Sequence, residues 1–263
     1  RGDPRVIRLE PTLVAARTAG RKLLVPYVTG GLGDEWPEVV RAVADAGADA
    51  IEIGIPFSDP VMDGPTIQEA SERALAGGAT PVSILEQLRV IDAGVPLGVM
   101  TYYNIAFHMG HERFAHALND AGVAAAILPD LPLEEAGPWT AVADEVGVET
   151  VMFAAPTTPD ERLPRICERA RGFVYGVGLL GVTGERAALA SSALVMAKRL
   201  KAVTDKPVLV GIGVSTVEQA VEVCQEADGV IVGSALIRRL LDGQGPEGAA
   251  AFISELRRGL DDG

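Results

Sequence analysis

The stretch IEIGIPFSDPVMDGPTIQ, Ile51 to Gln68, decides how the rest of the chain is read. It opens as an apolar run broken by one glutamate and ends in a proline-punctuated loop with two aspartates. In a strand, side chains alternate between faces. Ile51, Ile53 and Ile55 then share one apolar face, and Ala50, Glu52 and Gly54 share the other. A near-continuous apolar run of this kind fits a strand buried on both sides, as in a parallel sheet.

The same kind of run recurs along the chain. Strands are predicted at 22–29, 50–55, 96–102, 124–129, 149–155, 172–178, 207–213 and 229–234. Amphipathic segments lie between them at 36–46, 64–76, 82–92, 111–121, 134–146, 160–170, 191–203 and 215–225, and a last helix is expected over 248–260. Strict alternation of strand and helix demands parallel strands joined by crossover helices. Eight such units in 263 residues fit a closed (β/α)8 TIM barrel, with a doubly wound open sheet as the alternative. A helix at about 9–20 would cap the barrel bottom. No linker or low-complexity stretch interrupts residues 1–263, which read as one domain.

Composition narrows the partners. The net charge of −13 repels nucleic acid and anionic lipid. Apolar runs fall short of the roughly 18 residues of a membrane span, and the first residues, RGDPRVIRLEP, contain no apolar leader core. Cys167 and Cys224 form neither metal nor redox spacing, which is consistent with reduced thiols in a cytoplasmic protein.

With alternation applied, Glu52 points into the lumen near the C-terminal end of strand 2, the end that carries catalysis in such barrels. A desolvated carboxylate there suits general acid–base work. The competing reading is a structural glutamate paired with an interior cation, and no candidate strand supplies one at its lumen end. Asp59 and Asp63 fit turn or cap positions, but either could fold back over the barrel mouth. Glycine-rich turns follow strands 6, 7 and 8: GLLGVTGE (178–185), VGIGVS (210–215) and VGSALI (232–237). Glycines there let backbone N–H groups approach an anion, and the helix opened by Ser234 adds a favourable dipole, which points to phosphate. GVGLLG (176–181) fits a dinucleotide-binding pattern only in spacing, because no helix opens directly after it. Lys22 and Lys206 begin strands, and Lys198 and Lys201 lie on a helix, so no lysine is placed for a Schiff base. His108, His111 and His116 read as part of a solvated surface after strand 3 rather than a metal site.

Taken together, E-x-G-x-P-F-S-D-P-x-x-D-G-P-x-I-Q, followed in order by TYYN (101–104), LPDLP (128–132), GVTG (181–184), GIGVS (211–215) and VGSA (232–235), resembles the tryptophan synthase α subunit family from about residue 9 to 260. YVTGG (27–31) precedes them in the matching place. The resemblance implies retro-aldol cleavage of indole-3-glycerol phosphate to indole and glyceraldehyde 3-phosphate. It implies no cofactor in this chain, with pyridoxal phosphate (PLP) in a partner β subunit of an αββα heterotetramer. A stand-alone lyase releasing free indole, or a barrel that mainly binds and activates the β subunit, remain as alternatives.

By the same resemblance, Glu52 is the general acid–base, and Asp63 holds the indole N–H. Tyr175 is an active-site tyrosine expected to hydrogen-bond Glu52. Tyr27 and Tyr102 wall the indole pocket, and Thr183 belongs to a loop that closes over substrate. Gly184, Gly211, Ile212, Gly213, Gly233 and Ser234 would hold the phosphate. Pro56, Asp59, Pro60, Asn104 and Gly181 would face the β subunit. No metal is implied.

Overall fold

A computed structural model describes residues 6–178, 186–211 and 213–263. Among them, eight parallel strands close into a barrel in chain order. They are β1 (Leu23–Thr29), β2 (Ile51–Gly54), β3 (Leu97–Met100), β4 (Ala125–Ile127), β5 (Glu149–Ala154), β6 (Val174–Val177), β7 (Val208–Gly211) and β8 (Gly229–Val232). Strand β8 pairs back onto β1 through Leu23–Gly229 to Pro26–Val232, which excludes the open sheet.

Helices α1 (Leu9–Thr18), α2 (Trp36–Asp45), α3 (Pro65–Ala76), α4 (Pro81–Leu88), α5 (Tyr103–Met109) and α6 (His111–Asp120) serve the first half. Helices α7 (Gly137–Val146), α8 (Leu163–Arg169), α9 (Arg186–Lys201), α10 (Val217–Val223), α11 (Ser234–Leu241) and α12 (Gly245–Asp262) serve the second. Among the described residues, no helix is long and apolar enough to cross a membrane.

The strand alternation read from Ile51–Ile55 separates two cores. Ile51, Ile53 and Ile55 pack outward with Val39, Val40 and Val43 of α2. Leu23, Val25, Ile127, Val151, Phe173, Leu209 and Ile231 fill the lumen with Ala50. Helix α1 plugs the bottom as expected: Leu9 and Leu13 are almost fully buried and join the lumen cluster.

What holds that plug was not legible in the sequence. Glu149, at the start of β5, accepts hydrogen bonds from the backbone N–H groups of Leu9 (2.7 Å) and Glu10 (2.8 Å). A carboxylate from another strand thus caps α1, whose own preceding residue, Arg8, provides no side-chain cap. Asp49 plays a related part, accepting from Leu24 N–H (2.8 Å) and pairing with Arg257 of α12 (3.2 Å).

Several boundaries differ from expectation. Helix α5 was not anticipated, because seven residues of mixed character give little periodic signal. The 160–170 segment divides into a 3-10 turn, Asp160–Arg162, and α8, with Pro164 in the first turn of the latter. Helix α12 begins at Gly245, earlier than 248, with Pro246 in its first turn. His108 and His116 are exposed as expected. His111 is half-buried, 2.9 Å from the Tyr103 hydroxyl and against the edge of Trp139, so it does not belong to a solvated face.

Candidate active site

Glu52 sits on β2 in register with Tyr27 of β1 and Gly98 of β3. It is 1% exposed, and its Oε1 has no hydrogen-bond partner among the described residues. Burial first, and then the nearby Asp63 charge, push its pKa up to about 8. The structural alternative, an interior ion pair, is therefore absent among the described residues.

Glu52 lines a cavity of about 190 Å³ at the C-terminal mouth of the barrel. Its apolar wall includes Ile67, Met100, Phe153, Val177 and Ile231, with Tyr27, Asp63 and Tyr175 as its other titratable side chains. The opposite side is formed by Gly178, Gly211, Gly213, Gly233 and Ser234. Asp63 and the glycines at the ends of β7 and β8 thus converge from distant parts of the chain.

The two aspartates of the opening stretch part company. Asp63 turns into the cavity, fixed by its N–H donating to Pro60 O (3.1 Å) and by Gln68 Nε2 donating to its carbonyl (2.8 Å). Tyr102 donates its hydroxyl proton to Asp63 Oδ2 (3.1 Å) and accepts from Met62 N–H (2.9 Å). Burial raises the Asp63 pKa, and the Tyr102 hydrogen bond opposes that rise. Asp59 points to solvent, where Ser58 Oγ donates to it at 2.6 Å.

Tyr102 was expected to wall the pocket. Its ring instead stacks on Phe57 (5.2 Å between centroids), and its hydroxyl backs Asp63. Tyr175 does face the cavity, stacked on Phe153 at 4.6 Å. Among the described residues the expected Tyr175–Glu52 hydrogen bond is not formed: Glu52 acts on the Tyr175 phenol only through its charge, and Glu52 Oε1 has no partner. Gly211 explains where the Tyr175 hydroxyl lies: a Cβ on Gly211 would meet it at 2.5 Å. This glycine therefore makes room for a side chain as well as leaving backbone open. Gly213 has φ +69°, a conformation that favours glycine. Gly181, Thr183, Gly184 and Ile212 lie outside the described residues. Pro56 is buried and Pro60 half-buried on the loop after β2, and Asn104 is exposed in the first turn of α5, after β3.

Sequence reading missed Thr29, Gly54, Met100 and Phe153. Of these, Gly54 had a signal, since a glycine two residues beyond Glu52 on the lumen face marks a close approach.

The family model for the tryptophan synthase alpha chain matches residues 13–261. The chain belongs to the tryptophan synthase alpha chain family. The tryptophan synthase alpha chain of Streptomyces coelicolor is 44% identical over 265 residues, covering 96% of each chain. That of Methanosarcina acetivorans is 45% identical over 243 residues, covering 90% of this chain and 88% of the relative. A crystal structure of tryptophan synthase from M. tuberculosis, in an aminoacrylate-bound form, superposes with a TM-score of 0.87 at 38% identity, covering 96% of this chain and 99% of that one. The alpha chain of tryptophan synthase is a lyase that cleaves indole-3-glycerol phosphate, carries no cofactor of its own and works with a β subunit that holds the PLP.

Proposed function

We propose that in this alpha reaction Glu52 is the general acid–base and Asp63 the partner of the indole nitrogen. The observation that carries this is the pair of carboxyls at one cavity in unequal surroundings. Glu52 is fully buried with a pKa near 8, whereas Asp63 keeps a hydrogen-bond donor and partial exposure. Environments that push two carboxyls apart assign the acid to one and the anion to the other.

At neutral pH, Glu52 then carries a proton and Asp63 a negative charge. Glu52 delivers its proton to indole C3, and the ring acquires positive charge that the Asp63 carboxylate stabilises at N–H. The Glu52 carboxylate so formed accepts the hydroxyl proton of the adjacent glycerol carbon. The C–C bond breaks, the aldehyde forms, and its electron pair returns to the ring. Glu52 ends protonated as it began. The protonated indole is the electron sink, so no Schiff-base lysine is called for.

The apolar wall suits the indole ring, with Tyr175 on one side. Gly211, Gly213, Gly233 and Ser234 suit the phosphate, whose charge the α11 N-terminus favours. Thr183, Gly184 and Ile212 keep the roles implied by family resemblance. Pro56, Asp59, Pro60, Asn104 and Gly181 are assigned to the β-subunit face. Exposed Val61, Met62 and Phe107 around the same mouth support a partner there. Residues 1–263 act as one domain, in the cytoplasm.

The test is indole release from indole-3-glycerol phosphate, with and without the β subunit. Glu52→Gln should lose indole release while still binding glycerol phosphate. Near-normal turnover in that variant refutes the assignment. Full turnover by the chain alone, unchanged by the β subunit, would favour the stand-alone alternative.

A further inference from the structure

The cavity wall between β1 and β2 holds polar atoms that the mechanism above does not use. Tyr27 and Glu52 are register partners on adjacent strands, and Thr29 pairs with Gly54 two residues further on. Positions 27 and 29 of β1 and 52 and 54 of β2 all face the lumen. Gly54 contributes no side chain, and the Tyr27 phenol occupies that space: a Cβ on Gly54 would lie 1.8 Å from the Tyr27 hydroxyl oxygen and 2.3 Å from Cζ. The hydroxyl therefore stands where the side chain two residues above Glu52 would be, on the same face. Neighbours in that relation lie within reach of a long side chain.

Two buried oxygens flank it without hydrogen-bond partners among the described residues, Glu52 Oε1 below and Thr29 Oγ1 beside. Thr29 is fully buried. It lies close enough to perturb the Tyr27 phenol, yet the two make no hydrogen bond of good geometry. Buried polar groups without partners are costly, and their clustering at a reaction site marks a place where a partner arrives during the cycle. The ring itself is held by Ile67 of α3 and Ile237 of α11.

We infer that Tyr27 is a positioning residue for Glu52: its hydroxyl, with Thr29 as the alternative acceptor, swings to donate to the Glu52 carboxylate once that group has given its proton to indole C3. This rests on the assignment of Glu52 as the acid–base. Tyr27 keeps its own proton throughout, so the proton balance of the reaction is unchanged. Burial, with the Asp63 charge next, raises the Tyr27 pKa beyond the working range, so the phenol acts only as a neutral donor to a carboxylate. The titratable groups facing Glu52 are Tyr27 from β1, Asp63 from the β2 loop and Tyr175 from β6, with Tyr102 behind Asp63. No cation is among them, so a hydroxyl is the donor that the described residues provide.

The experiment is the pH profile of kcat/KM for indole release, measured in the complex with the β subunit for the parent chain, Tyr27→Phe, Thr29→Val and Thr29→Ser. The parent profile should fall as pH rises through about 8, where Glu52 loses its proton. Losing a donor to a charged group should lower kcat in Tyr27→Phe roughly tenfold with KM little changed. It should also move the basic limb upward by about one unit, because the carboxylate has lost its hydrogen bond. Thr29→Val removes a buried oxygen beside the phenol that competes with the Glu52 carboxylate for the Tyr27 proton, so it should move the limb downward, and Thr29→Ser should restore it. A basic limb that stays in place in Tyr27→Phe overturns the inference. Should that variant fail to fold, an unmoved limb in Thr29→Val overturns it equally. Glu52→Gln is assayed alongside: if it is active, the acid–base assignment itself has failed, whereas an inactive Glu52→Gln with an unmoved Tyr27→Phe limb refutes only the role of Tyr27.

Discussion

Replacing Glu52 by glutamine should stabilise the fold, and by an amount that grows with pH. The pKa of Glu52 rises from 4.5 to about 8 on folding because its carboxyl is buried and faces the Asp63 charge. A folded-state pKa above the unfolded one means that the neutral form is favoured in the fold. Nothing is lost below the unfolded pKa, stability falls as pH rises between the two values, and the loss is complete above the folded one. The full shift corresponds to about 5 kcal/mol at about 1.4 kcal/mol per unit. Between about pH 5 and about pH 7 the expected change is about 2.5 kcal/mol, with about 1.4 kcal/mol more by about pH 9. Glutamine cannot ionise, so any cost of its buried amide is the same at every pH and cancels from the trend. Urea unfolding midpoints of parent and variant across that range, converted with a common m-value, read the difference directly. A stability gap that stays constant from acid to alkaline pH would mean that Glu52 ionises as freely in the fold as in the unfolded chain. Glu52 would then not rest protonated at neutral pH.

Other outcomes follow from particular contacts. Tyr102→Phe removes the hydrogen bond to Asp63 Oδ2 and should cut kcat/KM roughly tenfold while moving the acid limb of its pH profile upward; an unmoved acid limb would detach Tyr102 from Asp63 function. Gly54→Ala places a methyl group 1.8 Å from the Tyr27 hydroxyl oxygen, so the phenol must leave its seat, and indole release should fall by about a hundredfold or more with circular dichroism unchanged. Glu149→Ala strips two backbone N–H groups of α1 of their acceptor and should cost about 2 kcal/mol of stability. Turnover at 25 °C should persist in it, because the contact lies at the opposite end of the barrel from Glu52; a dead but folded Glu149→Ala would couple the two ends.

Much of the barrel is legible in the chain because the signals are local. Alternation along Ile51–Ile55 sorts outward isoleucines from the inward glutamate without knowledge of any other strand, and repeated strand–helix units leave parallel closure as the economical arrangement. The direction of Glu52 comes from that phase alone, and the lysines are set aside because Lys22 and Lys206 begin strands and Lys198 and Lys201 lie on a helix. The glycine turns after strands 6, 7 and 8 pointed to phosphate on their own, whereas the role given to Asp63 required a family pattern, because an aspartate in a Pro–Gly loop is locally indistinguishable from a turn residue.

Tertiary structure decided what depends on contacts between distant segments. Asp63 turns into the cavity, where Tyr102, just beyond β3, donates to it, while Asp59 stays at the surface with Ser58. Tyr102 backs the aspartate instead of walling the pocket. Tyr175 finds its place over Gly211, and Tyr27 over Gly54, each tyrosine filling the space a glycine on the neighbouring strand leaves. Glu149 caps a helix some 140 residues earlier. Strand period is a property of a few consecutive residues. Register, and with it which hydroxyl meets which carboxylate, exists only after the barrel has closed.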